Sequence, residues 1–278
     1  MNSSLPLVSI IIPTHFRLEK LKNTLRSITE QTYKNIEIIV SSDGFSDENR
    51  NFLEKEYPSI VYIESKVTKK PSIARNLALK RARGRYIAFC DDDDLWLPEK
   101  LEKQIQVLEI HKDRDFCYTK MVRYDNNGKE WMEANDSDAE VTFKSLLFVS
   151  TVPISSVIIR AELLDKVKGF CESKRVGTSE DYEFVLRCAV YTKPLLLDEY
   201  LVKYYSGNER TTNIEDKEVF RSAIKVIAYT LGVLGGQYSL LKIASIEKSV
   251  LFKSILHHLK WCYKRVAYIT ILQWIRRA

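Results

Sequence analysis

Glycine is scarce, with nine in 278 residues, and neither a G-x-G-x-x-G nor a Walker spacing occurs anywhere in the chain. A glycine loop for phosphate is therefore excluded, and any diphosphate ligand is expected to be held through a metal. The five cysteines (Cys90, Cys117, Cys171, Cys188, Cys262) include no Cys-x-x-Cys pair, which leaves a zinc site unsupported. No signal-peptide pattern precedes the first apolar run, so reduced thiols in a cytosol are expected. No uninterrupted apolar run approaches the roughly 18 residues of a membrane-spanning helix. There is also no internal repeat and no low-complexity segment.

Charge is unevenly spread. The net charge is +6, but residues 242–278 hold eight Lys or Arg against the one acid Glu247, leaving 35 basic and 36 acidic residues for positions 1–241. The basic excess thus belongs to the tail, which argues against nucleic acid as a partner of the main domain. At 45% hydrophobic and 29% charged residues, the composition is that of a globular protein with one main domain.

The first 100 residues alternate strand and helix. Leu7 to Ile12 is a β-branched run ended by Pro13, and Leu18, Leu21, Leu25 and Ile28 follow at helical spacing within Arg17 to Gln31. Ile36 to Val40 is the next strand, and Ser42-Asp43-Gly44 turns toward a helix over Glu48 to Tyr57, capped by Ser46 or Asp47. Ile60 to Glu64 is a third strand. A helix over Pro71 to Arg83, with Ile73, Leu77 and Leu79 inward, precedes Gly84 and the strand Tyr86 to Cys90. Such regular alternation specifies a parallel, doubly wound sheet.

Beyond Pro98 a helix runs to about His111, and a hairpin around Asn126-Asn127-Gly128 joins 115–124 to 129–132. A helix over 143–149, a strand over 154–160, helices over 162–167 and 181–190 and a strand over 194–205 complete the same sheet. From Asn213 the chain reads as helical, with a break at Gly235-Gly236.

The chain is organised around Phe89-Cys90-Asp91-Asp92-Asp93-Asp94-Leu95-Trp96-Leu97-Pro98. Four carboxylates leave a buried strand at its carboxyl end, where open α/β sheets bind ligands. They would raise one another's pKa unless a cation neutralised them, and Mg²⁺ or a similar hard ion suits such a site because it keeps water and phosphate among its ligands. An EF-hand is disfavoured, since Trp96 stands where that loop requires glycine. Asp43, at the exit of the second strand, lies on the same sheet edge and can face the same ligand; taken alone it also reads as a turn residue beside Gly44.

Four stretches then combine: Val8-Ser9-Ile10-Ile11-Ile12-Pro13-Thr14, Ser42-Asp43-Gly44-x-Ser46, Ala74-Arg75-Asn76-x-Ala78, and Phe89-x-Asp91-Asp92-Asp93-Asp94-x-Trp96-x-Pro98-x-Lys100-Leu101. With Gly169-Phe170-x-Glu172 and Glu180-Asp181-Tyr182-Glu183-x-x-x-Arg187, they resemble the GT-A glycosyltransferases of family 2 over residues 6–205. The resemblance implies a mixed, mainly parallel α/β sheet with helices on both faces over 1–212; the helical, basic extension read from the residues occupies 213–278. It also implies a nucleotide-diphosphate-sugar donor, UDP-sugars being common in the family, with Mn²⁺ or Mg²⁺ and an inverting transfer. Carried over, Asp43 contacts the nucleobase, and Pro13, Thr14, Arg75, Asp91 and Asp92 belong to the donor site. Asp93 is the metal ligand, Asp181 the general base, and Glu180, Trp96 and Arg187 lie on the acceptor side or behind it. Two departures stand out: Ser42 precedes Asp43 where the family commonly has a second acid, and Tyr204-Tyr205-Ser206-Gly207 lacks a histidine often found there.

The chemistry requires these residue types in its own right. Inverting displacement needs a carboxylate to take the acceptor proton and a Lewis acid for the departing diphosphate. Other readings remain: Glu180-Asp181 as a helix-start pair, Arg75 as the partner of structural carboxylates, and the whole as a phosphohydrolase, a nucleotidyltransferase or a non-catalytic nucleotide-sugar binder. Hydrolases of the Asp-x-Asp type place a nucleophile after the first strand, where this chain has Pro13-Thr14-His15.

In the tail, Leu251, Ile255, Leu259, Cys262, Val266 and Ile269 form one apolar stripe, which reads either as core packing or, with its lysines, arginines and aromatic residues, as a helix lying on an anionic membrane. Each basic residue near such a surface contributes about 1 kcal/mol. The expectation is a peripheral protein on the cytoplasmic face of the inner membrane, acting on a polyprenyl-diphosphate-linked saccharide in lipopolysaccharide (O-antigen) or capsule assembly.

Overall fold

The computed structural model describes residues 5–66, 70–125, 127–128, 130–132, 141–148, 152–173, 176 and 179–205. The domain boundary at 212, the helical extension and its apolar stripe lie outside these.

Strands β1 (Val8–Thr14), β2 (Ile36–Ser42), β3 (Val61–Glu64) and β4 (Tyr86–Phe89) are parallel neighbours in the order β3-β2-β1-β4. Their apolar runs are nearly continuous because a parallel sheet is covered on both faces. Ile11, Ile39, Ile87 and Phe89 enter one core, and Ile10, Ile12, Ile38, Val40 and Ala88 the other, as the period of two demands. β1 does not stop at Pro13: it continues to Thr14, and Pro13 pairs in register with Ser41.

Helix α1 (Leu18–Thr29) buries Leu18, Leu21, Leu25 and Ile28 as its spacing predicts. Helix α2 (Asp47–Glu56) is capped by Ser46, whose Oγ accepts the Asn49 N–H. Helix α3 (Pro71–Leu79) departs from expectation: it buries Ser72, Ala74, Arg75 and Ala78, while Ile73, Leu77 and Leu79 are only half-buried. Small side chains let its axis approach the sheet closely, and the large apolar residues fill the flanks. Gly84 is required where the chain turns into β4, since a Cβ there would lie 2.5 Å from the Ser9 backbone nitrogen.

In the second half, β5 (Leu95–Trp96) is a two-residue strand inside the acidic motif, and helix α4 (Lys100–Ile110) follows. β6 (Phe116–Tyr124) and β7 (Glu130–Met132) form the expected antiparallel hairpin. After the short helix α5 (Phe143–Leu146), the stretch read as one strand divides into a 3₁₀ turn (Ile154–Ser156) and β8 (Ile158–Arg160). Helices α6 (Leu163–Val167) and α7 (Glu180–Tyr191) precede the long β9 (Leu195–Tyr205).

Among the described residues nine strands form one sheet, ordered β3-β2-β1-β4-β8-β6-β9-β5 with β7 on β6. β8 runs antiparallel to both β4 and β6, β6 and β9 are parallel, and β5 returns antiparallel on β9. The sheet is therefore mixed, with α1 and α4 on one face and α5, α6 and α7 on the other. Phe89, Phe170 and Phe184 pack together at centroid distances of 4.2 to 5.5 Å, which seats α7 against β4, the strand that leads into the four aspartates.

Candidate active site

The exits of β1, β2 and β4 converge on one sheet edge. Thr14 ends β1, and its carbonyl accepts the Asp43 N–H at 2.7 Å; its hydroxyl donates to Asp92 Oδ2 at 2.6 Å. Asp43 is buried, and its Oδ2 accepts the Lys70 N–H at 2.8 Å, at the start of α3. Its Oδ1 is buried with no hydrogen-bond partner among the described residues. An acceptor so placed at a ligand edge suits an N–H from outside the protein. His15 Nδ1 lies 2.7 Å from the Asp43 carbonyl and donates to it.

The four aspartates differ in role. Asp92 is fully buried and both its oxygens are engaged, by Thr14 and by the Nε and Nη2 of Arg17. The sequence placed it with the donor contacts; here its oxygens anchor Thr14 and Arg17. Asp94 is buried too: its carbonyl accepts from Thr24 at 2.9 Å and its Oδ1 from the Tyr205 N–H at 2.9 Å. Burial, then the Asp93 and Asp91 charges, raise its pKa well above the ordinary carboxylate value, and its two contacts tie α1 to the end of β9. Asp91 and Asp93 face outward. Asp91 Oδ1 accepts from Arg75 Nη2 at 2.7 Å and Asp93 Oδ2 from Arg17 Nη1 at 2.8 Å. The second oxygen of each has no donor among the described residues. Burial, together with Asp92 and Asp91, pushes Asp93 up to about 6, against the pull of Arg17 and Lys20.

Arg75 is buried within α3 and links the two halves of the site. Nη2 holds Asp91, and Nη1 donates to Glu180 Oε1 at 2.8 Å. The sequence offered it as a donor contact or as a partner of structural acids; the geometry is that of the second. Asp181 is half-buried at the start of α7, with Oδ1 accepting its neighbour's N–H from Tyr182 at 2.7 Å. Burial and then Glu180 push its pKa up to about 6, while Arg75 and that N–H pull down. A partly accessible carboxylate that titrates near neutrality is suited to accept a proton. Asn76 fixes the approach to α7, donating to the Phe170 carbonyl at 2.9 Å and accepting the Phe170 N–H at 2.8 Å.

Of the residues expected on the acceptor side or behind it, two lie in the core behind the site. Trp96 is buried, its indole N–H donating to the Ser155 carbonyl at 2.9 Å and its ring covered by Lys100 Nζ at 3.9 Å. Arg187 is held by both oxygens of Glu183 at 2.6 Å and donates to the Val167 and Gly169 carbonyls; the spacing from Asp181 reflects an i,i+4 pair within α7 rather than a ligand contact. Pro13 is buried in β1. One residue was not found from sequence. Arg17, the N-cap of α1, bridges Asp92 and Asp93, and its partners are 75 and 76 positions away, beyond any local pattern.

Among the described residues no group of three or more His, Cys, Asp or Glu is arranged to hold a metal by itself. Asp91 and Asp93 nonetheless each keep an uncommitted oxygen beside other carboxylates. That donor set fits an ion that takes one or two protein oxygens and completes its shell with water and phosphate.

The family model described as glycosyl transferase family 2 matches residues 9–167. An uncharacterized glycosyltransferase of Methanocaldococcus jannaschii is 31% identical over 213 residues, which are 73% of this chain and 72% of that protein. The Escherichia coli UDP-Glc:alpha-D-GlcNAc-diphosphoundecaprenol beta-1,3-glucosyltransferase WfaP is 43% identical over 107 residues, 38% of this chain and 43% of WfaP. In fold, the chain resembles S. aureus TarS 1-349 in complex with UDP, with a TM-score of 0.67 at 20% identity over 91% of this chain and 72% of that one.

Proposed function

Because the chain belongs to glycosyl transferase family 2, we propose that it is an inverting enzyme that moves a hexose from a nucleotide-diphosphate sugar to a saccharide on a polyprenyl diphosphate. The hexose is glucose, galactose or an N-acetyl form, and the nucleotide is UDP. The observation that carries this reading is Asp181, a half-buried carboxylate with a pKa raised to about 6, connected through Glu180 and Arg75 to Asp91 at the acidic strand exit.

In the proposed reaction Asp181 accepts the proton of the acceptor hydroxyl as that oxygen bonds to the anomeric carbon. The bond from the anomeric carbon to the nucleoside diphosphate breaks on the opposite face, so configuration inverts. Asp93, with Asp91 beside it, would hold Mn²⁺ or Mg²⁺, and the ion would supply positive charge to the leaving diphosphate. The free Oδ1 of Asp43 accepts an N–H of the nucleobase, while Thr14 and Asp92 hold the neighbouring backbone and Arg17 in place. Trp96 and Arg187 support the site from the core.

The printed activity of WfaP, glucosyl transfer to a diphosphoundecaprenol-linked sugar, supports a lipid-linked acceptor and a role in surface polysaccharide assembly. The match spans under half of WfaP, 43%, so the acceptor is part of the proposal. Eight basic residues against one acid over 242–278 support work at the anionic cytoplasmic face of the inner membrane. Among the described residues no helix is long and apolar enough to cross a membrane. A phosphohydrolase is the weaker reading because β1 ends at Thr14 and is followed by His15, without a carboxylate nucleophile.

The test is to incubate the full chain with a panel of nucleotide sugars, Mn²⁺ and a GlcNAc-diphosphate-lipid acceptor, and to identify products by mass and NMR. Transfer of one hexose in a β linkage from an α-linked donor is expected. An α-linked product would refute inversion, and release of free sugar or phosphate alone would favour hydrolysis.

A further inference from the structure

The corner between β1 and α1 places a positive charge against the proposed metal ligand. Phe16 there has a φ of 52°, a conformation that residues with a side chain seldom adopt, and the turn it makes aims Arg17 back toward the acidic strand exit. The guanidinium makes two unequal attachments. Its Nε and Nη2 fork onto Asp92, which is fully buried and further held by Thr14 at 2.6 Å. Nη1 reaches Asp93 Oδ2 at 2.8 Å, where the Asp93 side chain is 15% and the Arg17 side chain 27% exposed. A bidentate contact with a buried acid is the stronger and more rigid of the two. A guanidinium has five N–H donors, and the three contacts found leave two without a partner among the described residues.

Asp93 therefore already has a cation, supplied by the chain itself. A divalent ion arriving without nucleotide must compete with Nη1 for that carboxylate, and displacing it leaves the guanidinium facing the new charge. A diphosphate arriving with the ion changes the balance, since its oxygens can accept the N–H groups that Asp93 gives up. The fork on Asp92 stays intact throughout, so the guanidinium is held near the diphosphate without having to be positioned anew.

We propose that Arg17 is a built-in cation of the donor site: it neutralises Asp93 in the empty enzyme and donates to the diphosphate in the loaded one, thereby making metal and nucleotide bind cooperatively. This rests on the metal-dependent reading above. Linkage requires each ligand to raise the affinity of the other by the same factor, and Arg17 supplies part of that factor.

The experiment measures Mn²⁺ binding by EPR of the free ion, and UDP binding by calorimetry with and without saturating Mn²⁺, for the wild type, Arg17→Gln and Arg17→Lys. Melting curves confirm that the variants are folded. For Arg17→Gln, Mn²⁺ alone should bind several-fold tighter, whereas UDP in the presence of Mn²⁺ should bind about tenfold more weakly, the usual scale for one lost charge-assisted hydrogen bond. Arg17→Lys keeps the charge but cannot span both aspartates, and should fall between the two in both measurements. Affinities that fall together, or that do not change, would overturn the proposal by reducing Arg17 to a packing role. Wild-type UDP binding that is indifferent to Mn²⁺ would instead overturn the metal-dependent reading, and the proposal with it.

Discussion

Replacing Arg75 with methionine removes a group that touches both the donor-side acid and the helix of the proposed base. The guanidinium is buried between Asp91 and Glu180, whose side chains are 29% and 7% exposed. Asp91 can recover water when its partner leaves. Glu180 cannot, because it stays enclosed with no other counter-charge among the described residues. Breaking a buried pair from one side costs about 3–5 kcal/mol, and because only one of the two acids is stranded the lower end applies, roughly 3 kcal/mol. Urea denaturation at pH 7 reads this loss directly, against a total stability of about 5–15 kcal/mol for a typical domain. The substitution also removes the charge that lowers the Asp181 pKa. With that pull gone the pKa rises above about 6, and since the base must be ionised to act, the acid limb of the kcat/KM profile moves to higher pH. Arg75→Lys should restore part of the stability at most, as one ammonium cannot reach two acids on opposite sides. Wild-type stability and an unmoved acid limb in Arg75→Met would refute the reasoning.

Other consequences follow from single contacts. Asp43→Asn should weaken UDP binding about tenfold by calorimetry, because a charged acceptor is lost, with little change in melting temperature. Gly84→Ala should destabilise the fold by about 1–3 kcal/mol in chemical denaturation, since its Cβ would meet the Ser9 backbone nitrogen at 2.5 Å. Liposome co-sedimentation should show binding to anionic vesicles that weakens with salt and disappears on truncation near Ser249; equal binding by the truncated chain would contradict the membrane role of the tail.

The parallel half of the sheet was legible because strands buried on both faces are written as short Val and Ile runs, such as Ile10-Ile11-Ile12 and Ile38-Ile39-Val40. The acidic strand exit was legible because a four-residue acidic run directly after buried β4 has few structural uses. Legibility fell where one signal served two causes. In α3 the apolar residues Ile73, Leu77 and Leu79 suggested an inward face, but close approach to the sheet selected Ser72, Ala74 and Ala78 instead. Trp96 and Arg187 stood inside motif spacings that left open whether they face the acceptor or stand behind it, and only their partners Ser155 and Glu183 tell which. The two-residue β5 was hidden because it exists only through its pairing with Lys203 and Val202 of β9. Arg17 was hidden for the same reason: nothing within its own turn shows that Asp92 and Asp93 lie beside it.

The most direct measurement is the rate of sugar transfer by Asp181→Asn, made alongside Mn²⁺-dependent UDP binding by the same variant. The side chain is nearly isosteric and the donor contacts are on other strands, so UDP should bind as in the wild type while transfer falls on the order of 10²-fold or more. Below pH 6 the gap should narrow, since the wild-type carboxylate, with its pKa raised to about 6, is then protonated and equally unable to accept a proton. Transfer at the wild-type rate with the fold intact would contradict the assignment of Asp181 as the base.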